Sequence, residues 1–328
     1  MLRKVVRGGS LFLGCFEADV WTPEIRRIFE LLRIHRFDGI FCHDPVLLPL
    51  SLALRDEWRN KGHSSCVVLD AREYYPRHFE NSLAWRNTLG RLNKYLTSKY
   101  FSKADCVLTV SPGIAAEYEL RYGFRCSLLP SYAPYHDILP VGYEGGIIRC
   151  IHHGGGKPGR KLELMANAMT LLGDRYSLDF MLVENDAGYC KSLKKQTADI
   201  DNVRFLDPVP MEEIVNTTSS YDVGLFLLPP NTFNHRHALP NKLFEFLQAR
   251  LAIVVGPTPD MAEFVLDNEL GLVTEDFTPA ALAACLKKLT RDDINRFKES
   301  ADKAARKYCW EQNEVYLDKE LAQLFDWL

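Results

Sequence analysis

Hydrophobic positions along this chain form short β-branched runs that alternate with longer segments of mixed polarity. In the first 130 residues the runs lie at 39–43, 66–70 and 105–111, and helical stretches are expected at 23–36, 46–60, 82–103 and 112–122. The second half repeats the pattern, with strands expected at 147–152, 178–183, 203–206, 222–228, 251–255 and 271–273 and helices at 279–289 and 291–308. Strands that alternate with helices predict parallel sheets.

A segment rich in turn residues separates the two halves. Pro130–Gly146 contains three prolines and three glycines, which favour turns and disfavour helices and strands. We therefore predict an α/β protein with two domains, at residues 1–135 and 147–305. A final segment, 306–328, carries the apolar residues Leu321, Leu324, Phe325 and Trp327.

Composition is that of an ordinary globular protein. Of the 328 residues 47% are hydrophobic, and no apolar run approaches the ~18 residues of a membrane span. The nine cysteines are odd in number, scattered and never in CxxC spacing. This usage predicts reduced core cysteines and a cytoplasmic protein.

The net charge of −3 is unevenly distributed. Residues 1–140 hold 19 Lys and Arg against 15 Asp and Glu, whereas the rest of the chain has an acidic excess. The basic excess is concentrated in 82–104, which has five cations, four aromatic residues and no acid. This segment suits contact with an anionic membrane at the inner face of the cell membrane, and equally an ordinary solvated helix.

The segment ALPNKLFEFLQARLAIVVGPTPDMAEF, from Ala238 to Phe264, is the most informative for function. Pro240 can open a helix that carries Lys242 and Glu245, and 251–255 then forms a buried strand. A carboxylate near a helix start beside a strand end can hold ribose hydroxyls while the phosphates lie on the helix dipole. The alternative is an ordinary capped helix packed on a sheet.

A glycine-rich segment, HHGGGKPGRK, begins at His152, where the strand predicted at 147–152 ends. It contains GxGxxG at Gly154, Gly156 and Gly159, and Glu184 closes the next strand, where a dinucleotide site needs an acid. An NAD-binding domain is therefore an alternative, as are loop glycines without a ligand. The segment is not a Walker loop, because Arg-Lys stands where Lys precedes Ser or Thr.

Polar residues also follow two strands of the first half. His43-Asp44-Pro45 follows one strand, and Asp70-Ala71-Arg72-Glu73-Tyr74-Tyr75-Pro76 follows the next. Open α/β sheets bind ligands at such carboxyl ends of strands. The one strict DxD, Asp199-Ile200-Asp201, lies in a polar segment that predicts a loop, and we assign no metal site to it.

Several of these segments together resemble GT-B glycosyltransferases of the large retaining group called family 4. The similar segments are PNKLFEF with its strand and GPTPDM, HHGGGKPGRKLEL, HDP, DAREYYP and the SPGI that begins at Ser111. The resemblance runs from about Phe37 to the C-terminus. It implies two Rossmann-like domains with parallel sheets facing a central cleft, and a C-terminal helix that crosses back to the first domain.

The resemblance also implies roles for particular residues. Glu245 would contact the donor ribose, amides at the start of its helix would contact the diphosphate, and Arg160 would neutralise the leaving diphosphate with Lys157 or Lys242. Two positions depart from the family pattern. His237 stands where a second Glu is usual, and Arg72 stands where a His is frequent. The first domain is also shorter than the family's.

These expectations define a candidate site. The catalytic candidates are Arg160, His43 and Arg72; the donor-binding candidates are Gly154, Gly155, Lys157, Glu184, His237, Leu239, Asn241, Lys242 and Glu245; the acceptor-side candidates are Asp44, Glu73 and Ser111. We predict neither a cofactor nor a metal, because basic side chains and helix-start amides can stabilise the departing charge.

The predicted function is a retaining, metal-independent glycosyltransferase. Its partners would be a nucleotide-sugar donor and a saccharide or lipid-linked acceptor in surface polysaccharide or glycolipid synthesis, with no nucleic acid. Two alternatives stay open. One is an NAD-dependent Rossmann enzyme, and the other is a catalytically impaired GT-B protein that acts as a binding partner.

Overall fold

The computed structural model describes residues 14–326, with side chains to residue 324. The chain divides into two compact units. The first unit takes in the chain up to Pro130, Thr232–His237 and the stretch from Val315 onward, and the second takes in Ser131–Asn231 and Ala238–Glu314. The domain bounds given above for the sequence stay predictions.

The secondary structure alternates between helices and strands. Up to residue 130 the elements are α1 (Phe16–Val20), α2 (Pro23–Leu32), β1 (Gly39–Cys42), α3 (Leu48–Asn60), β2 (Cys66–Asp70), α4 (Leu83–Asn87), α5 (Leu89–Tyr100), β3 (Cys106–Thr109), α6 (Pro112–Tyr122) and β4 (Ser127–Leu128). Then come β5 (Ile148–Gly155), α7 (Glu163–Met169), β6 (Tyr176–Val183), α8 (Ala187–Gln196), β7 (Val203–Leu206), α9 (Ile214–Thr218), β8 (Val223–Phe226), α10 (Phe233–Arg236), α11 (Asn241–Gln248), β9 (Ala252–Val255), α12 (Pro259–Asp267), β10 (Gly271–Val273), α13 (Pro279–Lys287), α14 (Arg291–Ala305) and α15 (Trp310–Asp326).

Both sheets are parallel throughout, which confirms the predicted α/β class. The sheet of the first unit has the order β1-β2-β3-β4. The sheet of the second unit has the order β10-β9-β8-β5-β6-β7. When the strands of this second sheet are renumbered with β5 as the first, their order is that of a doubly wound nucleotide-binding fold. Its topological switch point lies between β5 and β8.

Apolar residues cover both faces of the second sheet. One cluster includes Leu162, Met165 and Phe180, and the other includes Phe244, Phe246 and Ile253. The strand β9 is buried at every position, as its continuous apolar run predicts. The switch point is thereby held by a rigid, close-packed scaffold.

The predicted helix at 82–103 is broken in the structure. Thr88 leaves helical backbone angles between α4 and α5. The indole of Trp85 lies against the backbone of Gly90, where an added Cβ would come within 2.7 Å of the ring. A glycine is therefore required two residues after the break, and the basic segment forms a short helix followed by a longer one.

Thr232–His237 packs within the first unit although its chain neighbours lie in the second. The buried side chain of Asn234 accepts a hydrogen bond from the Tyr74 N–H (2.7 Å) and donates one to the Tyr74 carbonyl (3.4 Å). Glu80 accepts a hydrogen bond from the Phe233 N–H at 2.6 Å. The Asn234 side chain thus satisfies the backbone of Tyr74, and Glu80 satisfies the N–H of Phe233 at the start of α10.

Asn234→Ala should destabilise the first unit by about 1–3 kcal/mol, because it leaves the buried Tyr74 N–H without an acceptor. The exposed Asn87 is a matched control, and Asn87→Ala should change stability by less than about 0.5 kcal/mol. Equilibrium urea denaturation measures both. Equal effects of the two substitutions would show that Asn234 does not hold the segment.

Candidate functional site

A buried lysine lies at the switch point of the second unit. Lys242, in the first turn of α11, places its Nζ 3.1 Å from Nε2 of His152 and 4.3 Å from the ring centroid of Phe226. His152 donates from Nδ1 to the Leu225 carbonyl at 2.8 Å, which fixes its tautomer. Its Nε2 is therefore an acceptor, and it receives a hydrogen from Lys242.

A second cation converges on the same point. Gly154 has a φ of +111°, and an added Cβ would lie 3.2 Å from Lys242 Nζ and 3.4 Å from Arg160 Nη1. Within the described part of the chain, neither cation forms an ion pair. The end of β5 therefore carries two converging positive groups, and only glycine leaves room there for a ligand.

Burial makes this pair of cations costly in the absence of an anion. Desolvation and then the neighbouring Arg160 hold the pKa of Lys242 well below its usual value, while Glu245 opposes that shift. Desolvation also lowers the pKa of Arg160. An anionic ligand would relieve both effects, because an opposite charge at short range favours the charged form of each group.

The start of α11 adds backbone donors. In residues 14–326 the N–H groups of Asn241 and Lys242 have no acceptor, and no side chain caps this helix. Unpaired amides at a helix start favour phosphate or carboxylate groups. The two cations and these amides therefore belong to one anion-binding arrangement around the start of α11.

Glu245 lies on α11 beside His153. Its Oε2 is 3.5 Å from Nε2 of His153, and burial raises the pKa of the Glu245 carboxyl. Burial and then the two nearby cations lower the pKa of His153 to about 3, so its ring is neutral and the contact is not an ion pair. Nε2 of His153 has no hydrogen-bond partner. Both groups therefore keep capacity for ligand hydroxyls.

The glycine turn does not have the form of a pyrophosphate cradle for NAD. An added Cβ at Gly155 would meet Asn185 at 2.1 Å, and one at Gly156 would meet the Cys190 Sγ at 2.3 Å. These two glycines thus make room for protein atoms. The helix that follows, α7, begins at Glu163, whose carboxylate accepts a hydrogen bond from Tyr189 at 2.7 Å.

The acid expected to bind a ribose in the NAD interpretation is engaged elsewhere. Glu184 is exposed and lies 3.3 Å from Lys194 in an ion pair. The N–H of Leu162, the residue immediately before α7, donates a hydrogen bond to the Tyr189 hydroxyl at 2.8 Å. The structure therefore gives no support to a dinucleotide at this turn.

The other donor-binding candidates have different surroundings. Leu239 is buried, whereas Asn241 and Lys157 are exposed. His237 ends α10 in the first unit, where its ring lies 4.6 Å from that of Phe233. Within the second unit, the structure therefore brings together Gly154, Arg160, Lys242 and Glu245.

Three of the residues predicted after strands meet in the first unit. Asp70 is buried at the end of β2, and its Oδ2 accepts from Arg72 Nε at 2.8 Å and contacts His43 Nδ1 at 2.9 Å. His43 and Arg72 are both more than half exposed. Asp70 therefore orients an imidazole and a guanidinium toward solvent at the carboxyl ends of β1 and β2.

Two of the acceptor-side candidates, Asp44 and Glu73, directly follow residues of this cluster in sequence, and the third is Ser111. Asp44 accepts a hydrogen bond from the Val46 N–H at 2.9 Å and so shapes the turn after β1. Burial raises the pKa of Glu73 to about 7, which suits a proton donor or acceptor near neutral pH. Ser111 is buried before α6, and its hydroxyl has no hydrogen-bond partner.

Two further findings concern metals and membranes. Within the described residues, no group of three or more His, Cys, Asp and Glu side chains could hold a metal ion. Asp199 and Asp201 lie in a turn region between α8 and β7, as predicted. No helix between residues 14 and 326 is long and apolar enough to cross a membrane.

Sequence reasoning missed the supporting histidines. His152 and His153 belong to the HHG segment, and the sequence pattern predicts no role for either. The available signal is that two histidines are adjacent at the end of a strand. Successive strand residues point to opposite faces, so this pair places one imidazole on each face of the sheet. One of them contacts Lys242 and the other Glu245, and both partners are on α11.

Comparisons with known proteins agree with this geometry. Residues 149–292 match the model of the family described as glycosyl transferases group 1. Most of the matched residues lie in the second unit. No curated protein matches the chain in sequence at a significant level.

Solved structures with a similar fold cover most of the chain. TarM has a TM-score of 0.69 at 12% identity, over 93% of this chain and 59% of TarM. HepE from Anabaena, solved with UDP-glucose, has a TM-score of 0.69 at 12% identity, over 92% of this chain and 82% of HepE. Sucrose-phosphate synthase from Thermosynechococcus elongatus has a TM-score of 0.67 at 14% identity, over 89% and 75%. The chain thus has the predicted GT-B fold, and it spans less than two thirds of TarM.

Lys242→Met should change how stability depends on pH. Because the pKa of Lys242 is lower in the folded than in the unfolded protein, the unfolded state binds more protons between those two values. The cost of burying the charged lysine is therefore full at low pH and is lost as pH rises. Wild type should gain stability relative to Lys242→Met as pH rises from the lowered pKa of Lys242 toward the ordinary lysine pKa of about 10.

Urea denaturation at several pH values measures this difference. Lys287, an exposed lysine of α13 in the same unit, provides the control substitution Lys287→Met. Wild type and this control should show parallel profiles. A Lys242→Met profile parallel to wild type would contradict the buried, depressed lysine.

Proposed function

We propose that this protein transfers a sugar from a nucleotide-sugar donor to a hydroxyl acceptor. The observation that carries the proposal is the convergence of Lys242 and Arg160 on Gly154 at the switch point of the second unit. HepE, which has the same fold, is a protein solved with UDP-glucose. These two cations have no anionic partner among the described residues, and the phosphates of a nucleoside diphosphate would provide one.

The donor would be held by α11 and by the end of β5. In this arrangement the diphosphate takes the amides of Asn241 and Lys242 together with the two cations, and Glu245 accepts hydrogen bonds from the ribose hydroxyls. As the sugar–phosphate bond breaks, negative charge grows on the diphosphate. Fixed cations in a desolvated site stabilise that charge without reorganising.

This arrangement supports a metal-independent mechanism. Lys242 and Arg160 converge on Gly154, and they would neutralise the diphosphate in place of a divalent cation. Retention of the anomeric configuration follows the family resemblance: the acceptor hydroxyl would attack from the face that the diphosphate leaves. Both features are part of the proposal.

The acceptor side is assigned to the first unit. We assign His43 and Arg72, oriented by Asp70, to binding or proton transfer, and Glu73, with its pKa of about 7, to the acceptor hydroxyl. Asp44 and Ser111 would position the surrounding backbone. A saccharide or lipid-linked acceptor in surface polysaccharide or glycolipid synthesis, and a cytoplasmic location, complete the proposal. Membrane contact through 82–104 stays a prediction.

A nucleoside diphosphate should stabilise the purified protein against heat. A ligand at a hundred times its dissociation constant adds about 2.7 kcal/mol, which a thermal-shift panel of UDP, GDP, ADP, CMP and NAD resolves. Stabilisation by one diphosphate would support the transferase and identify its base. Stabilisation by NAD alone would contradict it, and no response to the panel would favour an impaired GT-B protein.

Two substitutions should separate binding from turnover. Glu245→Ala should weaken nucleotide binding about tenfold by removing a charged hydrogen-bond acceptor. Arg160→Ala should lower kcat by about 100-fold or more, since its charge acts mainly as the diphosphate departs. The exposed Glu263 and Arg175 of the same unit supply the controls Glu263→Ala and Arg175→Ala. Wild-type kinetics in both site variants would overturn the site.

A further inference from the structure

The first unit contains a groove whose walls are aromatic and basic. The cavity has a volume of about 520 Å³ and lies beside α4 and α5. Trp85, Tyr74 and Tyr122 contribute rings to its lining, and Arg77, Arg86, Lys94 and Arg121 contribute cations. This cavity is lined by none of the residues assigned above to the donor or to the acceptor side.

The two acids of the groove are already neutralised. Glu80 accepts from Arg77 at 2.5 Å and 3.2 Å, and Glu117 accepts from Arg121 at 3.2 Å. Arg86 and Lys94 are exposed, and neither forms an ion pair with a described residue. The groove therefore keeps two uncompensated positive charges, which favour an anionic occupant.

An aromatic side chain that lines the same groove is held in place by its neighbours. The half-buried indole of Trp85 lies on the backbone of Gly90, and its other ring contact is the edge of Phe79, with centroids 6.2 Å apart. A rigid ring offers a flat apolar surface at little entropic cost when a ligand binds. A flat ring beside cations suits a sugar ring that bears negative groups.

The remaining cations of 82–104 point to other partners. Lys99 forms an ion pair with Glu17, and the guanidinium of Arg91 lies 5.7 Å from the ring centroid of Phe16. Lys103 lies 5.4 Å from the ring centroid of Tyr100. The five cations thus do not form one surface, which favours a ligand in the groove over contact with a flat membrane.

We propose that this groove binds an anionic saccharide, a chain of sugar rings that carries carboxylate or phosphate groups. Its negative groups lie on Arg86 and Lys94, and one of its rings lies on Trp85. The inference does not rest on the transfer reaction. It predicts binding by the first unit whether or not the second unit uses a nucleotide sugar.

Isothermal titration calorimetry with defined hexasaccharides tests the proposal on the full chain. The probes are a glucuronate-containing hexasaccharide, a phosphorylated hexasaccharide and the neutral chitohexaose. Wild type should bind at least one anionic probe at least tenfold more tightly than the neutral one, and more weakly at high salt. Millimolar or weaker binding of both anionic probes, or equal binding of the neutral probe, would overturn the proposal.

Charge-matched double variants locate the site. Arg86→Gln with Lys94→Gln should weaken binding of the anionic probe at least tenfold. The control pairs Arg125→Gln with Lys61→Gln, two exposed cations of the same unit outside the groove, and should bind as wild type does. Equal binding by the two double variants would overturn the assignment.

Two further measurements distinguish the saccharide from a membrane and the groove from the donor site. If vesicles of phosphatidylglycerol retain the protein and no hexasaccharide binds, the saccharide proposal is overturned and the groove faces a membrane. Thermal stabilisation by a nucleoside diphosphate, measured on the same groove variant, should equal that of wild type. If the nucleoside diphosphate stabilises neither wild type nor the variant, the proposed function is refuted and the groove assignment is unaffected.

Discussion

The hydrogen bond from Lys242 to His152 is the interaction on which the account of the second unit depends. The Leu225 carbonyl fixes the imidazole, so its free nitrogen can only accept, and the buried lysine is its donor. A buried ammonium without a carboxylate is unfavourable unless other groups hold it in place. Burial of this lysine therefore lowers the stability of the folded protein at the switch point, and an anionic ligand bound there would offset that loss.

The other features of the site follow from the order of the strands. Placing β8 beside β5 brings Leu225 and Phe226 next to His152, and the connection through α11 brings Lys242 and Glu245 over the same strand ends. Gly154 then has to lack a side chain because both cations approach it. Sheet topology, the glycine and the buried charges are thus consequences of one arrangement.

Much of this could be predicted from the sequence. Continuous apolar runs gave the strands, and Pro240 with Glu245 marked the helix start. The predictions failed where tertiary contacts determine the structure. Trp85 packed on Gly90 divides one predicted helix, and Asn234 holds a segment in the first unit through the Tyr74 backbone. The GxGxxG spacing was misleading, because Gly155 and Gly156 accommodate Asn185 and Cys190. Neither the packing of one ring on one glycine nor a contact between residues as distant in sequence as Tyr74 and Asn234 leaves a periodic signal in a single chain.

Proton uptake on nucleotide binding tests the central claim most directly. If a diphosphate binds beside Lys242, it raises the pKa of that lysine, so affinity should fall and protons should be taken up as pH rises above the lysine's pKa in the free protein. Calorimetric titration with UDP, or with whichever nucleoside diphosphate binds, in two buffers of different ionisation enthalpy measures the number of protons. We expect uptake at alkaline pH in wild type and its loss in Lys242→Met. Nucleotide binding with no proton uptake at any pH from about 7 to about 10, or equal uptake in the variant, would contradict the account.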